Sequence, residues 1–257
     1  MRPVARRVLL SLHRRIGRTA APRRRVSARG LELTLQCDNP VTDYRWRTFE
    51  SKEPETLDWI DHRVRDGDTL FDVGANIGVY TVYAALRHPA CRVVAFEPEY
   101  ANLHLLRDNV IENGVQDRVH VYSVALGCHC GLSQLHIQDL RPGAALHTEA
   151  RGTLTETRSG KPVVWREGIW TLTLDRFCEE ARLSPDCVKL DVDGTEDEIL
   201  EGGTATLASP TLRSIILELP PESAGHRACE ARLRAAGLER EWWDAARVSP
   251  NQVWGRP

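Results

Sequence analysis

The sequence predicts a doubly wound α/β domain, in which helices cover both faces of a mainly parallel sheet. One observation is that apolar runs suited to buried strands alternate with helical patterns along the chain. A second is that the strand at residues 69–73 enters a glycine turn and a helix, and that the next strand ends in the acid Glu97. A right-handed unit of this kind places the turn and the acid side by side at the carboxyl edge of the sheet.

The elements before the first core strand are less regular. Residues 31–50 alternate weakly between apolar and polar types, which predicts a short β-hairpin or flap around Asn39-Pro40. Residues 53–65 predict a helix, because Pro54 suits a first turn and apolar residues follow at helical spacing. We therefore expect a short N-terminal β/α extension ahead of the main sheet.

The core elements then follow in alternation as far as the middle of the chain. Helices are predicted at about residues 78–87 and 99–113, and strands at 92–97, 119–125 and 131–137. The segment 139–170 has no clear period and is longer than most connections, so we interpret it as a substrate loop or lid. The later elements are a short helix entered from TLTLDRFC (171–178), strands at 187–193 and 213–219, helices at 195–207 and 224–236, and antiparallel strands in the tail.

Charge is distributed unevenly along the 257 residues, which carry a net charge of -2. The first 30 residues contain ten arginines and no acid, and predict a disordered tail ahead of an N-terminal flap and helix (31–66) and a main domain (67–257). Residues 4–17 could form a basic amphipathic helix that contacts an anionic membrane surface weakly, although a solvated tail is the simpler interpretation. The acidic remainder argues against a nucleic-acid partner held through phosphates.

Cysteine usage and hydropathy favour a cytoplasmic location. Seven cysteines form an odd set, no secretory signal is recognisable, and no apolar run reaches the roughly 20 residues that span a bilayer. Cys128 and Cys130 form a C-x-C pair without a second pair at metal-ligand spacing, so no zinc site is predicted. We expect free thiols.

The first turn indicates a nucleoside cofactor. Gly74 and Gly78 suit a sharp turn that a ligand approaches closely, and a carboxylate such as Glu97 can accept two hydrogen bonds from a ribose diol. A dinucleotide site normally has a glycine where this chain has Asn76, which would crowd a pyrophosphate. S-adenosylmethionine has no pyrophosphate, and its positive charges suit Asp72.

The motifs resemble those of the FkbM-type family of S-adenosylmethionine-dependent methyltransferases over about residues 50–254. The segments that carry the likeness are KEPETLDWI (52–60), LFDVGANIGVYT (70–81), AFEPEYANLHLLRDN (95–109), VAL-G (124–127), VKLDVDGTEDEIL (188–200) and IILEL (215–219). The resemblance implies a seven-stranded Rossmann-like methyltransferase sheet and O-methylation of a hydroxyl on a sugar, lipid or secondary metabolite.

The resemblance also implies roles for individual residues. The methionine part of the cofactor would lie against the residues of the first turn, Asp72, Gly74, Asn76 and Gly78. Glu97 would bind the ribose, and Asn102 and Ala125 would lie near the adenine. Two departures stand out: Tyr100 replaces a common proline, and Asp197 occupies a position where related chains often have histidine.

The acceptor side is predicted around a second group of acids. Asp191 and Asp193 follow an apolar strand and alternate onto one side of it, and Glu218 ends the next strand. They could position a substrate hydroxyl or remove its proton; capping of the following helix is the simpler alternative. Mg²⁺ binding by these acids is conceivable, but no metal site is predicted. His147 would act as the base if the segment 139–170 closes over the cofactor, although a surface histidine is the simpler interpretation.

We therefore predict a methyltransferase that acts on a small-molecule or glycan acceptor. A nicotinamide-dependent dehydrogenase is one alternative, against which Asn76 argues. A binding module that keeps the cofactor fold without its chemistry is another, against which Asp72, Glu97 and Asp191 argue together.

Overall fold

The computed structural model of the chain describes residues 22–220, 225–243 and 249–257. Its strands are β1 (Arg23–Ala28), β2 (Leu31–Gln36), β3 (Thr69–Val73), β4 (Arg92–Phe96), β5 (Val119–Tyr122), β6 (Ala125–Leu126), β7 (Gly131–Ile137), β8 (Thr148–Ala150), β9 (Trp165–Leu172), β10 (Cys187–Leu190), β11 (Ser214–Glu218), β12 (Glu239–Trp243) and β13 (Asn251–Gly255). Its helices are α1 (Pro40–Arg47), α2 (Phe49–Lys52), α3 (Pro54–Arg63), α4 (Val79–Arg87), α5 (Tyr100–Glu112), α6 (Leu174–Ala181), α7 (Glu196–Glu201), α8 (Thr204–Ala208) and α9 (His226–Ala235).

Seven of these strands form one sheet, in the order β12-β13-β11-β10-β3-β4-β5. The pairs from β11 to β5 are parallel, whereas β13 runs antiparallel to both of its neighbours. From β3 the chain adds β4 and β5 on one side, and it then returns to add β10 and β11 on the other. The predicted doubly wound, seven-stranded sheet is confirmed, and its order reverses between β3 and β10, where α/β sheets bind ligands.

Helices bury both faces of the sheet, which explains why the central strands are apolar almost throughout. On one face Leu70 belongs to a cluster with residues of α3 and α4. On the other face the adjacent residue, Phe71, packs with Phe177 of α6, at 5.7 Å between ring centroids. The alternation of neighbouring residues between two cores fixes the register of β3 and therefore the position of the turn that follows it.

A second sheet contains four strands in the order β6-β9-β7-β8. The strand predicted at 119–125 ends at Tyr122, because the chain leaves the main sheet and pairs residues 125–126 with β9. The segment 139–170, predicted as an irregular loop, contains β8 and much of β9. Its pairing depends on β7, a distant partner that local periodicity does not reveal.

The N-terminal region differs from the prediction in two ways. Residues 23–28, assigned to the disordered tail, form β1 and pair with β2 around a turn at Arg29-Gly30. The hairpin predicted around Asn39-Pro40 is wrong, because residues 40–47 are helical and the Asn39 side chain caps the helix by accepting from the Val41 and Thr42 amides. The amphipathic helix predicted at residues 4–17 lies outside the described residues.

Three smaller findings complete the fold. The helix predicted at 195–207 is two helices, α7 and α8, separated at Gly202 and Gly203. All seven cysteines are free thiols, as predicted. Among the described residues, no helix is long and apolar enough to span a membrane.

Candidate functional site

A cavity of about 390 Å³ opens at the carboxyl edge of the main sheet, beside the point where the strand order reverses. This volume falls within the range of about 300–1,000 Å³ that is typical of small-molecule sites. Eight of the ten predicted site residues line it, namely Gly74, Asn76, Glu97, Asn102, Ala125, His147, Asp191 and Asp193. The other two, Asp72 and Gly78, lie outside the lining.

The turn after β3 is built around Gly74, whose φ of 76° is in the left-handed region. A Cβ at this position would lie 1.8 Å from the carbonyl oxygen of Asp191. Sequence reasoning attributed this glycine to the approach of a cofactor. The structure identifies a different close neighbour, the backbone that follows β10, so Gly74 joins the cofactor turn to the acceptor-side acids.

Asn76 also has a positive φ, 51°, which asparagine tolerates better than most residues. Its Oδ1 accepts a hydrogen bond from the amide of Ile77 at 2.9 Å, which supports the turn locally. Gly78, with φ 81°, begins α4, and a Cβ there would lie 2.2 Å from Cδ1 of Leu106. Glycine at position 78 therefore leaves room for the Leu106 side chain to pack behind the turn.

Glu97 lies at the end of β4 and is only 5% exposed. Its Oε2 accepts from the amide of Asn76 at 2.8 Å, and its Oε1 accepts from the amide of Glu99 at 2.9 Å. Burial, opposed by these two amides, raises the pKa of Glu97 to about 7. Each oxygen keeps a lone pair, so the fixed carboxyl group can accept two further hydrogen bonds from a vicinal diol.

Residues 142–147 form a strap that crosses the cavity, and side chains hold four consecutive backbone carbonyls of this strap. Asn39 donates to the carbonyl of Pro142 at 3.0 Å, and Arg45 donates to that of Gly143 at 2.7 Å. Asn76 and Asn102 both donate to the carbonyl of Ala144, at 2.7 and 3.0 Å. The fourth carbonyl, that of Ala145, accepts from Gln138 at 2.7 Å.

The two asparagines therefore contact the strap as well as the cavity. The Oδ1 of Asn102 also accepts from the amide of Gly143 at 2.7 Å, so this side chain pairs with two adjacent peptide groups. At the acceptor end, Asp193 accepts from the amide of Leu146 at 2.6 Å. The strap links the turn after β3 to Asp193, and a role of the segment 139–170 as a substrate loop or lid stays a prediction.

His147 ends the strap and lines the cavity. In the part of the chain that the structure describes, both of its ring nitrogens are buried and have no hydrogen-bond partner. Burial, opposed by the charge of Asp139, lowers the pKa of His147 to about 4. The imidazole is therefore neutral near pH 7 and has a nitrogen lone pair available to a proton donor.

The three acids converge as predicted: one carboxylate oxygen from each of Asp191, Asp193 and Glu218 lies within 4.8 Å of the others. The geometry is not that of a continuing strand, since β10 ends at Leu190 and Asp193 has φ 61°. Burial and then the charge of Asp191 raise the pKa of Glu218. Burial alone would raise the pKa of Asp191 too, but Lys189 and a hydrogen bond with Glu218 lower it. The pair is therefore an ionised Asp191 beside a protonated Glu218.

A neighbouring acid, Glu196, accepts hydrogen bonds from the loop that follows β10. Glu196 accepts from the amides of Val192 and Gly194, at 3.3 and 3.2 Å. These bonds lie in the loop ahead of α7, whose N-cap residue, Thr195, makes no side-chain cap hydrogen bond. Asp191 and Glu218 remain directed to the cavity.

Asp72 lies behind the cofactor turn and is 1% exposed. Its Oδ2 accepts from the Thr81 hydroxyl at 2.5 Å, and its Oδ1 lies 3.4 Å from Nζ of Lys189. Asp72 thus forms a structural ion pair, and the direct cofactor contact expected for it stays a prediction. Lys189 was not predicted as a site residue, although a single cation in the apolar strand CVKL was a signal for it.

Helices α1 and α2 supply residues that sequence reasoning also missed. Tyr44, Arg45 and Lys52 line the cavity opposite the sheet. Tyr44 and Arg45 belong to the segment predicted as a hairpin, so their helical spacing was not considered, and no site role was predicted for Lys52. Arg45 also contacts the strap, through the Gly143 carbonyl.

Comparisons with known proteins extend this description. The family model described as "Methyltransferase FkbM domain" matches residues 72–237. The 31-O-demethyl-FK506 methyltransferase FkbM of Streptomyces tacrolimicus is 44% identical over 62 residues, which cover 24% of this chain and 24% of that protein. The 2-O-methyltransferase NoeI of Sinorhizobium fredii (strain NBRC 101917 / NGR234) is 26% identical over 145 residues, 54% of this chain and 58% of that protein.

The matched regions therefore span less than two thirds of each of these relatives. Among solved structures, a putative rRNA-methylase from Clostridium thermocellum aligns with a TM-score of 0.48 and 11% identity, over 78% of this chain and 92% of that one. Similarity at that level supports no inference about the acceptor.

Proposed function

The chain belongs to the methyltransferase FkbM domain family, and on that premise we propose that it transfers the methyl group of S-adenosylmethionine to a hydroxyl oxygen. The observation that carries the proposal is the position of the carboxylate cluster. Asp191 and Glu218 line the same cavity as Glu97 and Gly74. A cofactor held at the first turn would thus lie beside groups that can orient an acceptor hydroxyl.

The cofactor half of the cavity suits S-adenosylmethionine. Glu97 would accept hydrogen bonds from the ribose diol, and the methionine part would follow the turn at Gly74 and Asn76. Ala125 is 8% exposed and would meet the adenine. Asp72 would act indirectly, by fixing Lys189 behind the turn.

Methyl transfer from a sulfonium is a direct displacement, so the acceptor oxygen must lie in line with the methyl group and the leaving sulfur. The hydroxyl proton must leave as the new bond forms. His147 is suited to take it, because its imidazole is neutral and both nitrogens lack a partner among the described residues. The carboxylate of Asp191 is held by Lys189, whereas the His147 imidazole is free to accept a proton.

Asp191 then has a different role, which is to orient the acceptor. As an ionised carboxylate it can accept a hydrogen bond from a second hydroxyl of the substrate, and the protonated Glu218 beside it can donate one. Asp193 is occupied by the amide of Leu146 and holds the strap that carries His147. The three predicted catalytic residues thus divide into a base, an orienting group and a positioning group.

The acceptor class follows from the same chemistry. Adjacent carboxyl groups can bind a neutral molecule with neighbouring hydroxyls, such as a sugar, a glycosylated lipid or a secondary metabolite. The two relatives with O-methyltransferase names support transfer to oxygen. A nicotinamide-dependent dehydrogenase, considered from the sequence, does not fit the family.

Transfer of radiolabel from S-[methyl-14C]adenosylmethionine to a panel of mono-, di- and polyhydroxylated acceptors tests the proposal. Wild-type protein should label at least one hydroxylated acceptor, and His147→Asn should reduce the rate about 100-fold or more. His120→Asn is the matched control, because His120 lies near the opposite edge of the sheet in a separate pocket. Cofactor binding without label transfer to any acceptor would favour the binding-module alternative.

A further inference from the structure

We propose that the buried ammonium of Lys189 is the resident cation of the acceptor-side carboxylates and fills the electrostatic role that a divalent metal would otherwise take. Lys189 would thus be a positioning residue that acts through Asp191. The catalytic purpose of this role rests on the proposed function. The contacts of Lys189 and the experiment that tests them do not require the acceptor to be known.

Contacts on three sides surround the ammonium group. Nζ of Lys189 lies 3.3 Å from Oδ2 of Asp191 and 3.4 Å from Oδ1 of Asp72. It also lies 5.2 Å from the centre of the Tyr80 ring, within the range of a cation–π contact. The residue is 4% exposed, so its charge is compensated by these groups and not by water.

The register of the sheet explains how the contacts arise. Lys189 on β10 and Asp72 on β3 are direct partners in the parallel pairing. Asp191 follows two residues after Lys189 and returns to the same side of the chain, so one cation reaches both acids. Asp72 is fixed in turn by the Thr81 hydroxyl from α4. The ammonium therefore ties the acceptor-side acid to the strand and helix that form the cofactor turn.

The choice of residue type supports a specific role for the ammonium. Of the 34 basic residues in the chain only three are lysines, at positions 52, 161 and 189. The other 31 basic residues are arginines, yet a lysine occupies this buried position. A compact point charge fits between two carboxylates and an aromatic face, whereas the planar guanidinium of arginine needs a wider, forked arrangement.

The charge of the cluster explains why a cation is needed. Asp191, Asp193 and Glu218 present carboxylate oxygens of the kind that Mg²⁺ binds. Lys189 already neutralises Asp191 from behind, and its positive charge opposes the approach of a second cation to the same acid. The ammonium is the cation in contact with Asp191, and together with the nearby charge of Lys52 it favours the ionised carboxylate without a metal.

Titration with Mn²⁺, followed by electron paramagnetic resonance, tests this inference on the full chain after treatment with EDTA. Wild-type protein should bind Mn²⁺ only weakly, with a dissociation constant on the order of 1 mM or higher. Lys189→Met should bind it about tenfold tighter or more, because the opposing charge is gone. Lys161→Met, at an exposed lysine, should match the wild type, and the double variant Lys189→Met/Asp191→Asn should return to weak binding.

Two results would overturn the inference. One is micromolar Mn²⁺ binding by the wild type, a measurement that stands even if the variant fails to fold. The other is a folded Lys189→Met variant that binds Mn²⁺ no more tightly than the wild type, as expected if Lys189 only stabilises the fold. Calorimetry with S-adenosylmethionine on the wild type separates these results from a failure of the proposed function, since it measures cofactor binding directly and without Mn²⁺.

Discussion

Replacement of Gly74 by alanine tests whether the cofactor turn and the acceptor-side acids form one packed unit. The new Cβ would lie 1.8 Å from the Asp191 carbonyl oxygen and 2.8 Å from its carbonyl carbon, where real Cβ contacts are essentially never below 3.0 Å. The opposing atoms are backbone, so no side-chain rotation can relieve the clash. The ends of β3 and β10 would have to separate by roughly 1 Å or more.

Three terms contribute to the expected loss of stability. Alanine at positive φ costs about 1–2 kcal/mol. Separation of the strand ends weakens the hydrogen bond from the Asp191 amide to the Val73 carbonyl, now 3.1 Å, at about 1 kcal/mol. Strain from overpacking adds about 1–3 kcal/mol. The total is about 3–6 kcal/mol, a large part of the stability of an ordinary domain.

Gly30→Ala is the matched control for this variant. Gly30 has φ 81° in the β1–β2 turn, close to that of Gly74, but a Cβ there meets nothing within 4 Å. Gly30→Ala should lower the free energy of unfolding only by the cost of placing alanine at positive φ, about 1–2 kcal/mol. Urea denaturation measures both free energies of unfolding. If the two variants lose equal stability, the close approach of Asp191 is not what requires glycine at position 74.

Three further predictions concern single groups. Burial raises the pKa of Glu97 from 4.5 to about 7. Its contribution to the free energy of unfolding is therefore fully present below about pH 4.5 and is lost as the pH rises through about 7. Between about pH 5 and 8 the free energy of unfolding of the ligand-free wild type, measured by urea denaturation, should fall by on the order of 2–3 kcal/mol more than that of Glu97→Gln. The same dependence on pH in both proteins would contradict this. Asn102→Ala removes both side-chain hydrogen bonds from residue 102 to the strap. Hydrogen exchange of the Gly143 amide should therefore become about tenfold faster. An unchanged exchange rate would mean that the other bonds suffice to hold the strap. Arg256→Met should cost about 2–4 kcal/mol in thermal or urea unfolding and leave cofactor affinity unchanged, because it frees the carbonyls of Leu207, Ser209, Leu212 and Ala236 far from the cavity.

Much of the main sheet could be predicted from the sequence because its strands are buried on both faces. Such strands appear as continuous apolar runs, and the helices between them have a clear period. The same reasoning placed Glu97 and Asp191 at the carboxyl edge. Their meeting in one cavity follows from parallel topology, without knowledge of any long-range contact.

The remaining features depend on partners distant in the chain. Asn39-Pro40 has the composition of a turn, but Asn39 caps a helix, and the two uses look alike in sequence. Lys189 acquires its role from pairing with Asp72, 117 residues earlier, through a register that only the folded sheet defines. The strap has no periodic pattern because side chains from four other segments hold its carbonyls.

The affinity of the wild type and of Glu97→Ala for S-adenosylmethionine, measured by calorimetry, tests the central claim most directly. The wild type should bind the cofactor, and Glu97→Ala should bind about 1–3 kcal/mol more weakly, because the ribose loses its charged hydrogen-bond partner. Glu179→Ala, at an exposed acid of α6, should match the wild type. Absence of binding by the wild type at high micromolar cofactor, or an equal dissociation constant for Glu97→Ala, would contradict the assignment of this cavity as the cofactor site.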